Sequence, residues 1–266
     1  MSAHLAARAA WRYRDFIVTS FKREFAMRYL GTQFGVFWAI AQPLTLILIY
    51  SIVFSELMRP ALPGHPSKFA YSVYLTAGII SWQLFSELLG RCVGMFVNNA
   101  QLLKKVSIPK ITMPIIASLY ALSTFAITFM LFLGFAGLAG YWPGWHLLAV
   151  VPVILLMTVF AMGLGILLAT INVFYRDVEQ SVNVVLQVWF WLTPVVYPAT
   201  TLPKYIASVL EWNPMWPMIR AMQNIFLDHR SPDWSTLIYP AALAILIILV
   251  AGYAFERLSD DLVDEL

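Results

Sequence analysis

The chain alternates long apolar runs with short polar breaks. Six runs stand out, at about Phe34–Phe54, Tyr71–Phe96, Ile111–Ala139, Leu147–Ile171, Val182–Val196 and Leu237–Phe255. A helix needs about 20 residues to cross the roughly 30 Å hydrocarbon core of a bilayer. Five of the runs reach or nearly reach that length, whereas the fifth in order is short and ends in prolines. The pattern predicts an all-α polytopic membrane protein with six transmembrane helices, in a single domain over residues 1–266.

The breaks carry patterns of their own. Residues 1–33 are basic, and Trp11, Val18, Phe21 and Phe25 recur at helical spacing among Arg8, Arg12, Asp15, Lys22 and Arg23. A basic helix with an aromatic apolar face lies in the membrane interface, so this segment reads as an interface helix. Between the second and third runs stands "NNAQLLKKVSIPK". A short helix over residues 98–109 would gather Leu102, Leu103 and Val106 on one side and Gln101, Lys104 and Lys105 on another. Pro109 and Pro114 discourage one helix continuing into the third run. From pattern alone it is either a passive interfacial turn with snorkelling lysines or a helix that docks in a groove of a cytoplasmic protein. The stretch from Thr193 to Pro217, "TPVVYPATTLPKYIASVLEWNPMWP", holds five prolines. It is too apolar for a solvated loop and too broken for one helix, which fits re-entrant outer helices over 194–217 between spans five and six.

Composition supports the membrane reading. The chain is 61% hydrophobic and 12% charged, with a mean hydropathy of +0.75, where a soluble domain is about 45–50% apolar and about 25% charged. Charge sets the orientation. Eleven Lys and Arg residues flank the side holding both termini, including Lys104, Lys105, Lys110 and Arg176, against five on the other side, Arg59, Lys68, Lys204, Arg220 and Arg230. The positive-inside rule therefore places both termini in the cytoplasm. The first apolar run starts too late and runs too long for a signal peptide. Cys92 stands alone and the four histidines are scattered, so no metal site is expected. There is no Gly-rich phosphate loop, so ATP is not expected on this chain. Glu87 and Arg91, one turn apart in the second run, read either as a self-neutralised pair or as the polar lining of a conduit. Gly163 and Gly165 in the fourth run would permit close helix packing.

The phrases "LLKKVSIPKITMPI", "NVFYRDVEQSVNVVLQVWFWLTPVVYP" and "WNPMWPMIRAMQNIF", in this order along the chain, resemble the ABC type-2 exporter permeases, above all the polysaccharide (O-antigen type) export subunits. The resemblance implies a homodimer paired with two copies of a separate cytoplasmic ATPase, which would hold the ATP and Mg. It implies that Gln101, Leu102, Leu103, Lys104, Lys105 and Val106 form the ATPase-coupling helix, and that the Pro-rich outer segment helps close the pore. The cargo would be a lipid-linked polysaccharide crossing the inner membrane. Trp38, Trp82, Phe85, Trp189, Phe190 and Trp191 are candidate walls of a glycan channel, because aromatic faces suit the C–H faces of sugars and weak repeated contacts suit conduction; interfacial anchoring is the competing account of any one of them. Tyr175 and Arg176 are candidates for the lipid-pyrophosphate head, with Arg176 pairing to Asp177, Glu179 or the ATPase as the competing account. The acidic tail from Glu256 to Glu265 is not a polybasic lipid site. Capsule or teichoic acid export, drug or small-lipid export, an ion-coupled carrier and a non-transporting scaffold are the rival functions.

Overall fold

The computed structural model describes residues 11–29, 34, 35, 37–53, 62, 67–105, 109–199 and 202–258. Residues 1–10 and 30–33 of the interface segment, Phe54, Val106, and the tail from 259 onward lie outside the described residues. The regular structure among the described residues is helical: α1 (Arg14–Tyr29), α2 (Phe37–Ile52), α3 (Ala70–Asn98), α4 (Ala100–Lys105), α5 (Thr112–Leu138), α6 (Val150–Phe174), α7 (Asp177–Leu192), α8 (Lys204–Leu210), α9 (Met215–Leu227) and α10 (Ile238–Leu258). Short 3-10 turns at Gly144–Ala149 and Trp234–Leu237 lead into α6 and α10.

Three stretches are long and apolar enough to cross a membrane: Thr112–Leu138, Gly144–Phe174 and Trp234–Leu258. Helix α3 has the length, 29 residues, but its Ser, Thr, Gln, Glu and Arg side chains keep it out of that group. It is also the hub, packing against α2, α5, α6, α7 and α9. The two facts belong together, since polar side chains at membrane depth are tolerated where protein surrounds them. Helices α2 and α7 have 16 residues each, about 24 Å at 1.5 Å per residue.

Most hydroxyls in the bundle satisfy themselves. Thr76, Ser81, Ser118, Thr158 and Thr170 each donate to the carbonyl four residues back, at 2.7–2.9 Å. They add no demand for a partner elsewhere.

Helix α6 lies between α3 and α10, and its two glycines explain how. A Cβ on Gly163 would meet Ile247 Cγ2 and the Ile248 backbone nitrogen at 3.2 Å, on α10, while one on Gly165 would overlap the Cys92 Cβ on α3. Two residues along a helix turn the side chain by about 200°, so the pair opens opposite faces of α6. At the C-terminal end of α6 a third tie holds the corner. Asn172, 1% exposed, donates to the Val93 carbonyl at 3.2 Å and accepts the Glu179 N–H at 3.1 Å, joining α6 to α3 and α7. Asn172→Leu is expected to cost about 1–3 kcal/mol, because it strands a buried donor and a buried acceptor; thermal unfolding in detergent measures it.

Helix α1 splits the members of its apolar stripe between protein contact and exposure. Trp11 and Val18 are exposed, and Ile17 and Ser20 are the buried positions. Phe25 lies 6.0 Å from Phe21 and 6.1 Å from Tyr120. The helix rests on α5, with Phe25 at the contact.

Helix α7 stops where expected. Pro194 has no N–H for the ladder and crowds the preceding turn, and Thr193 is already extended. The expected outer segment ended at Pro217, but α9 begins at Met215. Pro217 sits in the first turn of α9, where the N–H would have no intrahelical partner in any case.

Candidate functional site

An open groove of about 690 Å³ runs between α3 and α7. Helix α3 contributes Trp82, Gln83, Ser86 and Glu87; α7 contributes Asn183, Gln187, Phe190 and Trp191. On each helix the polar positions are three or four residues apart, so they share a face. Val182 and Leu186 are the buried positions of α7, and Leu186 also lines the floor of the groove.

The polar groups of the groove differ from the self-satisfied hydroxyls around them. The side-chain amides of Gln83, Asn183 and Gln187 make no hydrogen bond among the described residues, and Asn183 and Gln187 are exposed. An unsatisfied amide facing lipid costs several kcal/mol, on the order of the water-to-hydrocarbon penalty. This face therefore meets water, a polar ligand or another protein surface. Its volume is in the range of about 300–1,000 Å³ usual for ligand sites.

Behind the amides stands an aromatic cluster. Phe85 stacks on Phe160 at 5.7 Å and meets Trp189 edge-on at 5.3 Å; Trp82 meets Phe190 at 5.6 Å and Trp189 at 6.2 Å. Phe190 in turn meets Trp191 at 5.4 Å. Five of the six expected channel aromatics thus come together, but in different roles. Trp191 is 64% exposed on the groove rim, and Trp82 and Phe190 border the groove. Phe85 is fully buried, so it backs the wall and offers no face to a ligand, contrary to expectation. Trp189 is anchored by its indole N–H donating to Asn213 Oδ1 at 3.0 Å. Trp38 stands apart on α2, beside a small cavity with Gln42, Gln83, Thr124 and Thr128.

Glu87 forms the expected pair with Arg91. Its Oε1 accepts from Arg91 Nε at 3.3 Å, and it also borders the groove. Arg91 reaches further, to Glu24 Oε2 on α1 at 3.7 Å and onto the Tyr120 ring at 3.4 Å on α5. One guanidinium therefore joins α1, α3 and α5.

On the other side of the chain, the break after α7 leaves carbonyls without a helical partner. The Tyr71 hydroxyl donates to the Val196 carbonyl, and Tyr74 donates to that of Tyr197 at 3.1 Å. Gln223 donates to Val195 at 3.4 Å, and Asn213 Nδ2 donates to Thr193 Oγ1 at 2.9 Å. Irregular backbone packed inside protein needs such partners, and α3, α9 and Asn213 just before α9 supply them.

Among the coupling candidates, Leu103 is buried, Leu102 half-buried, and Gln101, Lys104 and Lys105 exposed. Asn99 forms the joint: its side chain donates to the Met95 carbonyl at 2.9 Å, and its own carbonyl accepts the Leu102 and Leu103 N–H groups at 3.0 Å. Tyr175, 70% exposed, and Arg176 form the sharp corner between α6 and α7, where Arg176 makes no ion pair among the described residues. Glu179, one of its expected partners, sits instead beside Gly94 and Asn172.

The sequence reading missed Gln83, Ser86, Asn183 and Gln187. The available signal was their three- and four-residue spacing on otherwise apolar helices.

Comparison with known proteins agrees with this architecture. The chain is 30% identical over 261 residues to an O-antigen export system permease protein of Myxococcus xanthus, covering 97% of this chain and 98% of that one. It is 26% identical over 239 residues to an O-antigen export system permease protein of Klebsiella pneumoniae, covering 89% and 90%. A polysialic acid transport protein of Escherichia coli is 22% identical over 242 residues, covering 91% and 92%. Residues 16–227 match the family described as ABC-2 type transporter. An all-helical bundle around a polar, aromatic-backed groove, with matches that run nearly end to end, places this chain in the ABC-2 type transporter family of membrane proteins.

Proposed function

We propose that this chain is the transmembrane permease subunit of an ATP-driven exporter that moves a lipid-linked polysaccharide, of the O-antigen type, across the bacterial inner membrane. It works as a homodimer with two copies of a cytoplasmic ATPase, which bind the ATP and Mg. Six spans cross the membrane, with α2 and α7 completing the set, and both termini are cytoplasmic. Helix α4 is the coupling helix, and α8 with the start of α9 forms the re-entrant outer segment.

The observation that carries this reading is the groove between α3 and α7. Phe190 and Trp191 offer ring surface backed by Trp82, while Gln83, Asn183 and Gln187 offer free hydrogen-bonding groups. Sugars present C–H faces and hydroxyls together, so they match both. A second copy facing the groove would close it into a conduit lined by weak contacts that are easily left. The names of the relatives support a glycan cargo. Tyr175 and Arg176, exposed at the cytoplasmic corner, are placed to meet an anionic lipid-pyrophosphate head as the substrate enters.

The test is surface glycan in cells carrying Asn183→Leu/Gln187→Leu or Trp191→Ala. All three residues are exposed, so the variants are expected to fold and keep the ATPase. We expect the double leucine variant to lose at least tenfold of the exported polymer, and Trp191→Ala to lose a smaller share. Undiminished export by a well-expressed double variant rejects the groove as the conduit.

A further inference from the structure

We infer that α9 carries a second saccharide site, on the outer side of the chain and selective for an acidic sugar. It rests on the exporter reading above, because it takes a glycan as the cargo. The site is a cavity of about 380 Å³ bordered by Trp216, Arg220, Gln223, Asn224, Asp228 and Tyr74. Residues 216, 220, 223, 224 and 227 fall on one face of α9, whereas Met218, Ile219, Met222, Ile225 and Phe226 bury the other. The helix is thus packed by its apolar side and presents a polar stripe to the cavity.

The chemistry of the stripe points to one class of ligand. The Arg220 guanidinium lies 5.7 Å from the Trp216 ring and has no carboxylate partner among the described residues. Arg220 is exposed and Trp216 half-buried. A ring beside an unpaired guanidinium suits a sugar whose C–H face lies on the indole and whose carboxylate or phosphate pairs with the arginine. Asp228 also borders the cavity, eight residues beyond Arg220 and so about 12 Å further along the helix axis. A second observation is independent of the charge. Gln223 is 1% exposed and spends its NH₂ on the Pro194 and Val195 carbonyls at 3.5 and 3.4 Å, while its Oε1 has no partner.

The groove has no cation among its lining residues. Its charged lining residue is Glu87, and the nearby Arg91 is shared between Glu87 and Glu24. An acidic sugar is therefore held weakly in the groove and more firmly at Arg220. Pro198 and Ala199 form part of the cavity wall, so an occupied site bridges α9 and the broken outer segment.

The test uses the purified permease–ATPase complex in lipid nanodiscs. Tryptophan fluorescence is titrated with tetragalacturonate, with neutral maltotetraose, and with inorganic phosphate at matched ionic strength. We expect a saturable change with tetragalacturonate that weakens at least tenfold in Arg220→Gln and loses most of its amplitude in Trp216→Phe. Maltotetraose should bind more weakly and be indifferent to Arg220→Gln, and phosphate should not reproduce the signal. Equal binding of acidic and neutral saccharides, no effect of Arg220→Gln, or full reproduction by phosphate overturns the site. The surface-glycan assay separates the two readings: if Asn183→Leu/Gln187→Leu loses export while tetragalacturonate ignores Arg220, the outer site fails alone. Normal export by that variant with Arg220-dependent binding fails the groove instead.

Discussion

Replacing Gly165 with alanine is expected to unseat α6 from α3 and to destabilise the permease more than the same change at Gly163. The added methyl would occupy the place of the Cys92 Cβ. That atom is bonded to the α3 backbone, so no rotamer change moves it aside and the helices themselves must part. Cys92 is fully buried among the residues that bind α3 to the bundle, and α3 is the helix on which the others pack. Forcing a methylene into a well-packed core costs about 1–3 kcal/mol, and more where backbone must shift. At Gly163 the nearest atoms stand at 3.2 Å, so a displacement of a few tenths of an ångström suffices and the loss is smaller. A double variant tests the cause. Cys92→Gly removes the colliding atom and should restore part of the stability lost in Gly165→Ala; recovery is incomplete because glycine inside a helix costs about 1 kcal/mol relative to alanine. Thermal unfolding of the detergent-solubilised protein gives the order. If Gly165→Ala melts with the parent, the close α3–α6 approach is not what holds this bundle.

The parts of this fold that were legible are those written along a single segment. The apolar lengths of α5, α6 and α10 need no tertiary information, and Pro194 ends α7 by its own covalent chemistry. The amphipathic character of α4 was equally local. The partner faces of Gly163 and Gly165 were not, because two small residues announce a close approach without naming what approaches. On α1 the sequence showed an apolar stripe but not which of its members meets protein: Trp11 and Val18 stay exposed, whereas the Phe25 ring meets Tyr120 of α5. In the candidate site, the run Trp189, Phe190, Trp191 was conspicuous, yet burial gives the aromatics different tasks, with Phe85 inside and Trp191 at the rim. The amides that set the chemistry were passed over. Gln83 and Asn183 lie on helices far apart in the chain and become one surface only when α3 and α7 pack. Trp38 shows the opposite failure, a residue grouped by type whose helix carries it to another face.

Reversing the charge of both lysines in α4, Lys104→Glu/Lys105→Glu, is expected to leave the permease folded and to uncouple it from its ATPase. Both side chains are exposed, and the residue that seats α4 on the bundle is Leu103. The fold therefore has little stake in the lysines, and thermal unfolding should be nearly unchanged, since surface substitutions usually stay within about 0.5 kcal/mol. Their position is better suited to a partner. Asn99 joins α4 to the end of α3 by hydrogen bonds from both its side chain and its carbonyl, so a push on α4 is delivered to α3. Helix α3 in turn carries Trp82, Gln83, Ser86 and Glu87 into the groove. Under the proposed function, the path from α4 to the groove runs through one helix, α3. Charge complementarity governs the rate and specificity of such docking more than its total affinity, so reversal of two cations should slow association, weaken it on the order of tenfold or more, and change the sign of its salt dependence. Co-purification with the ATPase, ATP hydrolysis by the complex and surface glycan are the three readouts. Loss of all three in a protein that melts normally assigns α4 as the coupling helix. A variant that assembles, hydrolyses and exports like the parent shifts that role to α1, which Glu24 and Arg91 tie to the same helix α3.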